Sequence, residues 1–296
     1  MSVGFSLSAT GNGHCSIISP CRPFFCFQGD KDYVVQIIST IWIGTLAPTY
    51  ERGNKMTDPS DVKPTLRTRF ESFVRTLDGF ESIDVRLKGQ EYEGMKRADY
   101  LFQGRSFIVE QKTLKANPVD KPQKFATRIM RDRRIIQFGT TSTKRLFSGQ
   151  PDANELHQRL MLNIAKVIDN DVAHADKQTR DTRQIFGIPA AIGILVILNE
   201  SAEMLTPELI RYALANSFQR AENGTLKYTQ NDGVILISEA HSLSVPGFLR
   251  AHPINTFTSP RTTGADKVII FSTMLIDGWA AFNHAPLLKE TWRPFS

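Results

Sequence analysis

Apolar positions recur at helical spacing from Thr65 to Leu77, where Leu66, Phe70, Phe73, Val74 and Leu77 fall on one stripe. This predicts an amphipathic helix, with Gly79 placed where a helix stop belongs. Ser82 to Leu87 alternates and reads as a half-buried strand. Arg97–Phe102 and Ser106–Leu114 read as two more strands, joined at Gln103-Gly104. Residues 121–136 repeat as a helix. A long helix is expected from Ala153 to Ala175 with Leu156, Leu160, Ile164, Val167 and Ile168 inward, and a second helical stretch ends at Ile185-Phe186 before Gly187. The run from Ile192 to Leu198 is almost wholly apolar, the mark of a strand buried on both faces. Thr206 to Phe218 is a helix with Pro207 in its first turn. Further on, 227–230 and 234–239 flank Asn231-Asp232-Gly233 as a hairpin would, and 267–274 reads as a last strand. The order is mixed α/β, with helices covering a sheet.

Hydrophobic residues make up 41% of the 296-residue chain and charged residues 22%, ordinary for a globular protein with a full core. The most apolar stretch, residues 34–44, carries Gln36 and falls short of the roughly 18–20 residues that span a bilayer. It also lacks the flanks of a secretory signal. All three cysteines, Cys15, Cys21 and Cys26, lie near the amino terminus, with neither a disulfide framework nor zinc spacing. Residues 1–55 are therefore expected to be a poorly structured extension, with Met56 opening a native-like start. The cysteine-free body points to the cytoplasm.

Charge is uneven. Between Lys115 and Phe147 nine basic residues face only Asp120 and Asp132, so this segment holds the whole of the chain's formal +6 excess. At about 100° per residue, Lys121, Lys124, Arg128 and Arg131 share one side of the 121–136 helix, while Phe125, Ile129 and Ile136 share another. Arg134 adds a further cation. One side is suited to packing and the other to a polyanion.

The segment from Ala98 to Lys112, ADYLFQGRSFIVEQK, ends a strand with a carboxylate, a spacer and an ammonium. With Gln103-Gly104 as a two-residue turn, Asp99 faces Ile108, and Ile108, Glu110 and Lys112 share its side. Asp99 and Glu110 are then diagonal neighbours about 7–8 Å apart. Two such acids suit one hard cation, the carbonyl of Gln111 offers another oxygen, and Lys112 stands one step along. No Walker loop, nucleophile elbow or H-E-x-x-H spacing competes with this.

Asp99 followed by an apolar strand ending Glu110-Gln111-Lys112 resembles the PD-(D/E)XK nuclease superfamily, with Ala98 where the family usually writes proline. The resemblance covers roughly residues 62–200 and implies a restriction-endonuclease-like mixed β-sheet flanked by helices, an αβββαβ core. It divides the chain into an extension (1–55), a nuclease core (56–200) and a C-terminal α/β addition (201–296). It implies a Mg²⁺- or Mn²⁺-dependent nuclease with Asp99, Glu110 and Lys112 catalytic. Asp99, Glu110, the Gln111 carbonyl and one further acid would hold the metal, that acid being Glu71 on the first helix or its rival Glu93 just ahead of the strand. The implied partner is nucleic acid, DNA before RNA. Lys121, Lys124, Arg128, Arg131 and Arg134 would contact it. Lys177, Gln178 and Arg180, in the polar stretch 175–184, are substrate contacts or part of a solvated turn. Two other readings stand beside this one: a nucleic-acid-binding module that does not cleave, and a partner protein of a defence system. Trp279 and Trp292 are expected to anchor packing.

Overall fold

The computed structural model describes residues 7–10, 14–17, 37–46, 63–89, 92, 95–135, 143–148, 150–245 and 248–289. Its centre is three apolar strands lying parallel: β6 (Phe107–Leu114), β7 (Ile192–Asn199) and β10 (Gly233–Ser238). Every residue of β7 is buried, as its unbroken apolar run requires of a strand covered on both faces. On one side β5 (Tyr100–Phe102) pairs antiparallel with β6, and β4 (Glu81–Ser82) with β5. On the other, β12 (Phe248–Thr258) runs antiparallel to β10 and carries β11 (Leu243–Val245). The sheet continues through β3 (Ile37–Leu46), β13 (Leu287–Lys289), β2 (His14–Ile17) and β1 (Leu7–Thr10). A separate small hairpin pairs β8 (Ala221–Glu222) with β9 (Thr225–Leu226).

Helices cover both faces. α1 (Leu66–Val74) and α8 (Ala265–Phe282) bury Phe70, Phe73, Phe271 and Trp279 against Phe107, Val109, Ile194 and Ile235. Trp279 packs edge-on to Phe73 and beside Phe70, an anchor as expected; Trp292 lies outside the described residues. The opposite face carries α3 (Lys121–Asp132), α4 (Thr143–Ser148), α5 (Ala153–Ile164), α6 (Lys166–Phe186) and α7 (Pro207–Gln219) over Leu114, Leu195, Ile197 and Leu236. Among the described residues no helix is long and apolar enough to cross a membrane.

Several elements differ from the pattern-based reading. Residues 83–86 form a short helix, α2 (Ile83–Arg86), because Ile83 and Leu87 are buried four residues apart while Val85 is 76% exposed. The helix expected to run unbroken to Ala175 stops at Ile164 and restarts at Lys166. Asn231-Asp232-Gly233 does not turn a hairpin. The Asp232 amide donates to the Gly193 carbonyl and its side-chain carboxylate accepts from the Gly193 amide, while the Asn231 side chain donates to the Val172 carbonyl. The chain is thereby led straight into β10. Residues 267–274 belong to α8, whose buried Val268, Phe271, Leu275, Ile276 and Trp279 keep helical spacing while Ile270 lies exposed. Residues 37–46, placed in the extension, pair as β3 with β12. The sheet also runs through position 200 without a seam, since β7 pairs with both β6 and β10.

Gly193 is required by a close approach: a Cβ there would lie 2.1 Å from the Gln230 carbonyl oxygen and 2.8 Å from the Thr179 methyl. Gly193→Ala is expected to lower the unfolding free energy by about 1–3 kcal/mol, measured by chemical denaturation, as forced overpacking does.

Candidate active site

The site forms where β5 gives out. Tyr100 lies opposite Val109, Leu101 opposite Ile108 and Phe102 opposite Phe107, so the connection is the four residues 103–106 and not the two-residue turn expected. Gln103, Gly104 and Arg105 all take positive φ there, and Ser106 donates back to the Gln103 carbonyl. The change of register is two residues. A shift of two leaves the paired side chains on their own faces; the pairing ends at Tyr100 and Val109, and the Asp99 amide donates to the Val109 carbonyl at 3.2 Å.

Before Asp99 the chain leaves the sheet, and the Ala98 amide donates to the Thr182 hydroxyl on α6 at 2.9 Å. β6 continues without β5. The Asp99 carboxylate fills in for the missing strand, its Oδ2 accepting from the Gln111 amide at 2.7 Å. A strand residue sends its N–H and C=O to the same edge, so the Gln111 carbonyl faces this same opening. The Gln111 side chain projects to the other face and accepts from the Tyr100 hydroxyl at 3.2 Å.

Ile108 packs with Ile185 and Phe186 at the end of α6, and Leu114 with the α5–α7 layer, so Glu110 and Lys112 face α6 between them. Glu110 is 1% exposed. Its Oε1 meets the Lys112 ammonium at 2.5 Å, and its Oε2 is buried without a partner among the described residues. Burial, aided by the Asp99 charge, outweighs the pull of Lys112 and raises the Glu110 carboxyl to about 8. Burial likewise raises Asp99, against the Gln111 amide and Lys112. Lys112 also donates to the Gln178 side-chain oxygen at 3.0 Å, and the Gln178 amide holds the Arg97 carbonyl at 2.7 Å. Gln178 thus fixes the ammonium in place and joins α6 to the start of the hairpin.

The remaining expected residues separate. Lys177, Gln178 and Arg180 lie on a helix, α6, not in a turn, and Lys177 and Arg180 are exposed. Glu71 is paired with Arg67 at 2.6 Å on α1, which packs on the opposite face of the sheet from Glu110. Glu93 lies outside the described residues. On α3, Lys121 does not join the stripe: its ammonium donates to the Asn163 and Ile164 carbonyls at 2.9 and 3.1 Å and closes the end of α5. Lys124, Arg128, Arg131 and Arg134 are exposed, Arg128 lying over the Phe125 ring. Ile136 lies outside the described residues.

Asp171 on α6 was not anticipated. It is half-buried, senses the Lys112 charge, and burial raises its carboxyl to about 6. Its spacing of seven residues before Gln178 is the signal that sequence alone carried.

No three Asp, Glu, His or Cys side chains converge as a metal cluster among the described residues. Mg²⁺ does not need one, since it is commonly held by one or two carboxylates and keeps several waters. The unpartnered Glu110 Oε2, the Asp99 carboxylate whose charge acts on it, and the Gln111 carbonyl are oxygens of the kind such an ion takes. Comparison with protein-family models, with curated proteins and with solved structures found no match to this chain.

Because the Glu110 pKa is raised from 4.5 to about 8 on folding, the folded state favours the proton. The stability this group contributes is complete below about pH 4.5 and is lost as pH rises through about 8. In the metal-free protein, unfolding free energy is expected to fall between pH 5.5 and 7.5 by up to about 1.4 kcal/mol per pH unit relative to Glu110→Gln. Urea titrations of both proteins at four pH values measure this; parallel curves would remove the assignment.

Proposed function

We propose that this chain is a divalent-cation-dependent phosphodiesterase acting on nucleic acid, with DNA the expected substrate, built on a restriction-endonuclease-like core. The order α1, β4, β5, β6, α6, β7 supports that core, since it follows the αβββαβ succession once α2, between β4 and β5, and α3, α4 and α5, between β6 and α6, are taken as insertions. The observation that carries the proposal is the meeting of Asp99, Glu110 and Lys112 at the open edge of β6.

Asp99 and Glu110 would hold Mg²⁺ or Mn²⁺ with the Gln111 carbonyl. A bound ion supplies charge stabilisation for the phosphoryl oxygens and a more acidic water. Lys112, fixed by Gln178, orients the attacking water and faces the negative charge that develops on the phosphate. Asp99 keeps its place through the Gln111 amide, so neither acid depends on a mobile loop for its position. The exposed cations Lys124, Arg128, Arg131 and Arg134 hold the backbone of the substrate by charge and not by sequence.

Incubated with supercoiled plasmid and Mg²⁺ or Mn²⁺, the protein is expected to cut, and Asp99→Ala and Lys112→Ala are each expected to cut at least about 100-fold more slowly. Binding with no cutting by the wild type would leave the non-catalytic binding module instead. Four phosphate contacts imply that log affinity falls with log salt at a slope of about −3 to −4. Arg128→Ala should flatten that slope by about 1, read by fluorescence anisotropy across a salt series.

A further inference from the structure

Asp171 is a carboxylate that the catalytic proposal leaves unused. It stands on α6 seven residues before Gln178, which is within about 20° of two full turns, so the two share one side of the helix. Gln178 touches the Lys112 ammonium at 3.0 Å, and the same positive charge acts on Asp171. No hydrogen bond or ion pair ties Asp171 to any other described residue, although it is half-buried. A carboxylate withdrawn from water normally finds a hydrogen-bonding partner, and this one does not.

Direction along the sheet gives Asp171 its place. α6 leads through the loop after Gly187 into β7, which is parallel to β6, so α6 runs antiparallel to β6. Asp171 therefore lies about 10 Å beyond Gln178 toward the Leu114 end of β6, on the far side of Lys112 from Glu110. Lys112 thus has a carboxylate on either side of it along the strand and the Gln178 oxygen between them.

We propose, resting on the metal-dependent reading of the site, that Asp171 is a positioning residue that receives the Lys112 ammonium when a divalent cation takes Glu110. Lys112 and a bound cation cannot share Glu110 without strong repulsion, because each is positive and the site is nearly dry. The ammonium swings about the Gln178 oxygen, gives up Glu110 Oε1 and turns toward Asp171. Its charge stays beside the site, where it can face a phosphate, and Glu110 becomes free to ligate. Without Asp171 the remaining carboxylates that sense the ammonium, Glu110 and Asp99, are the ones the cation itself would take, so the ammonium continues to compete with it.

The test is Mn²⁺ titration followed by thermal shift, on wild type, Asp171→Asn and Asp171→Glu. Asp171→Asn is expected to need about 10-fold more Mn²⁺ for half-maximal stabilisation, in the range found when groups that orient metal ligands are removed. Asp171→Glu should return the midpoint to within about threefold of wild type. The metal-free Asp171→Asn protein should melt no lower than wild type, which separates the effect from misfolding. An unchanged Mn²⁺ midpoint in Asp171→Asn overturns the inference, as does failure of Asp171→Glu to restore it. A wild type that shows no Mn²⁺ response overturns both the metal site and this role. A wild type that responds to Mn²⁺ but never cuts plasmid ends the nuclease reading, while the assignment of Asp171 stands on its own midpoint.

Discussion

Beyond Val109, strand β6 keeps its parallel neighbour β7 on one edge and loses β5 on the other. Buried backbone groups left open in this way must find partners, and the partner supplied to the Gln111 amide is a carboxylate, Asp99, in place of another strand. The rest of the site follows from that substitution. Asp99 is drawn in beside the sheet, its charge acts on Glu110, and Glu110 cannot turn outward because its side chain faces α6. Lys112 is the nearest group able to answer the resulting negative charge, and Gln178 keeps it there. The hydrogen bond from the Ala98 amide to Thr182 fixes where β5 ends, and so where the whole arrangement begins.

The faces of the hairpin were legible in the sequence although its turn was not. Nothing in Gln103 or Arg105 announces a positive φ, which non-glycine residues seldom adopt, so a tighter turn was read. The error of two residues was harmless to the site, whereas an error of one would have put Glu110 on the wrong face. Local pattern failed where two elements share one signature. Val268 to Phe271 is as apolar as a buried strand, and only the spacing of Leu275, Ile276 and Trp279 beyond it marks a helix. The pairing of β3 with β12 joins segments some two hundred residues apart, which periodicity within either one cannot reveal.

Charge was legible as a total but not as an assignment. Lys121 sits at the right helical angle for the basic stripe, yet it lies against the end of α5, where two carbonyls lack helical partners and an ammonium satisfies them. The exposed cations of α3 begin one turn later. In the same way the polar run at 175–184 looks like a solvated turn because so few of its residues are apolar. It is helical because its inward side is made of Ala175, Asp176, Thr179 and Thr182, and Asp176 finds a partner in the Gln230 amide. Gln178 belongs to that run, and its place in the site rests on a contact with Lys112 across 66 positions of sequence.

A buried ion pair kept only for stability would be expected to satisfy both partners fully, since an uncompensated charge in the interior is strongly destabilising. The arrangement around Lys112 does not do this. The Lys112 ammonium is paired with Glu110 and its charge also acts on Asp99 and Asp171, one oxygen of Glu110 has no partner among the described residues, and burial raises all three carboxyls. Carboxyls that burial pushes toward the protonated form, one of them with an oxygen left unpartnered, are disposed to accept either protons or a cation. Protons alone would leave Lys112 held firmly between Glu110 and Gln178 for no chemical purpose. A divalent ion would use the orphaned oxygen and release the ammonium from Glu110. The unpartnered Glu110 oxygen and the raised carboxyls are the features that a role in the stability of the sheet leaves without an explanation.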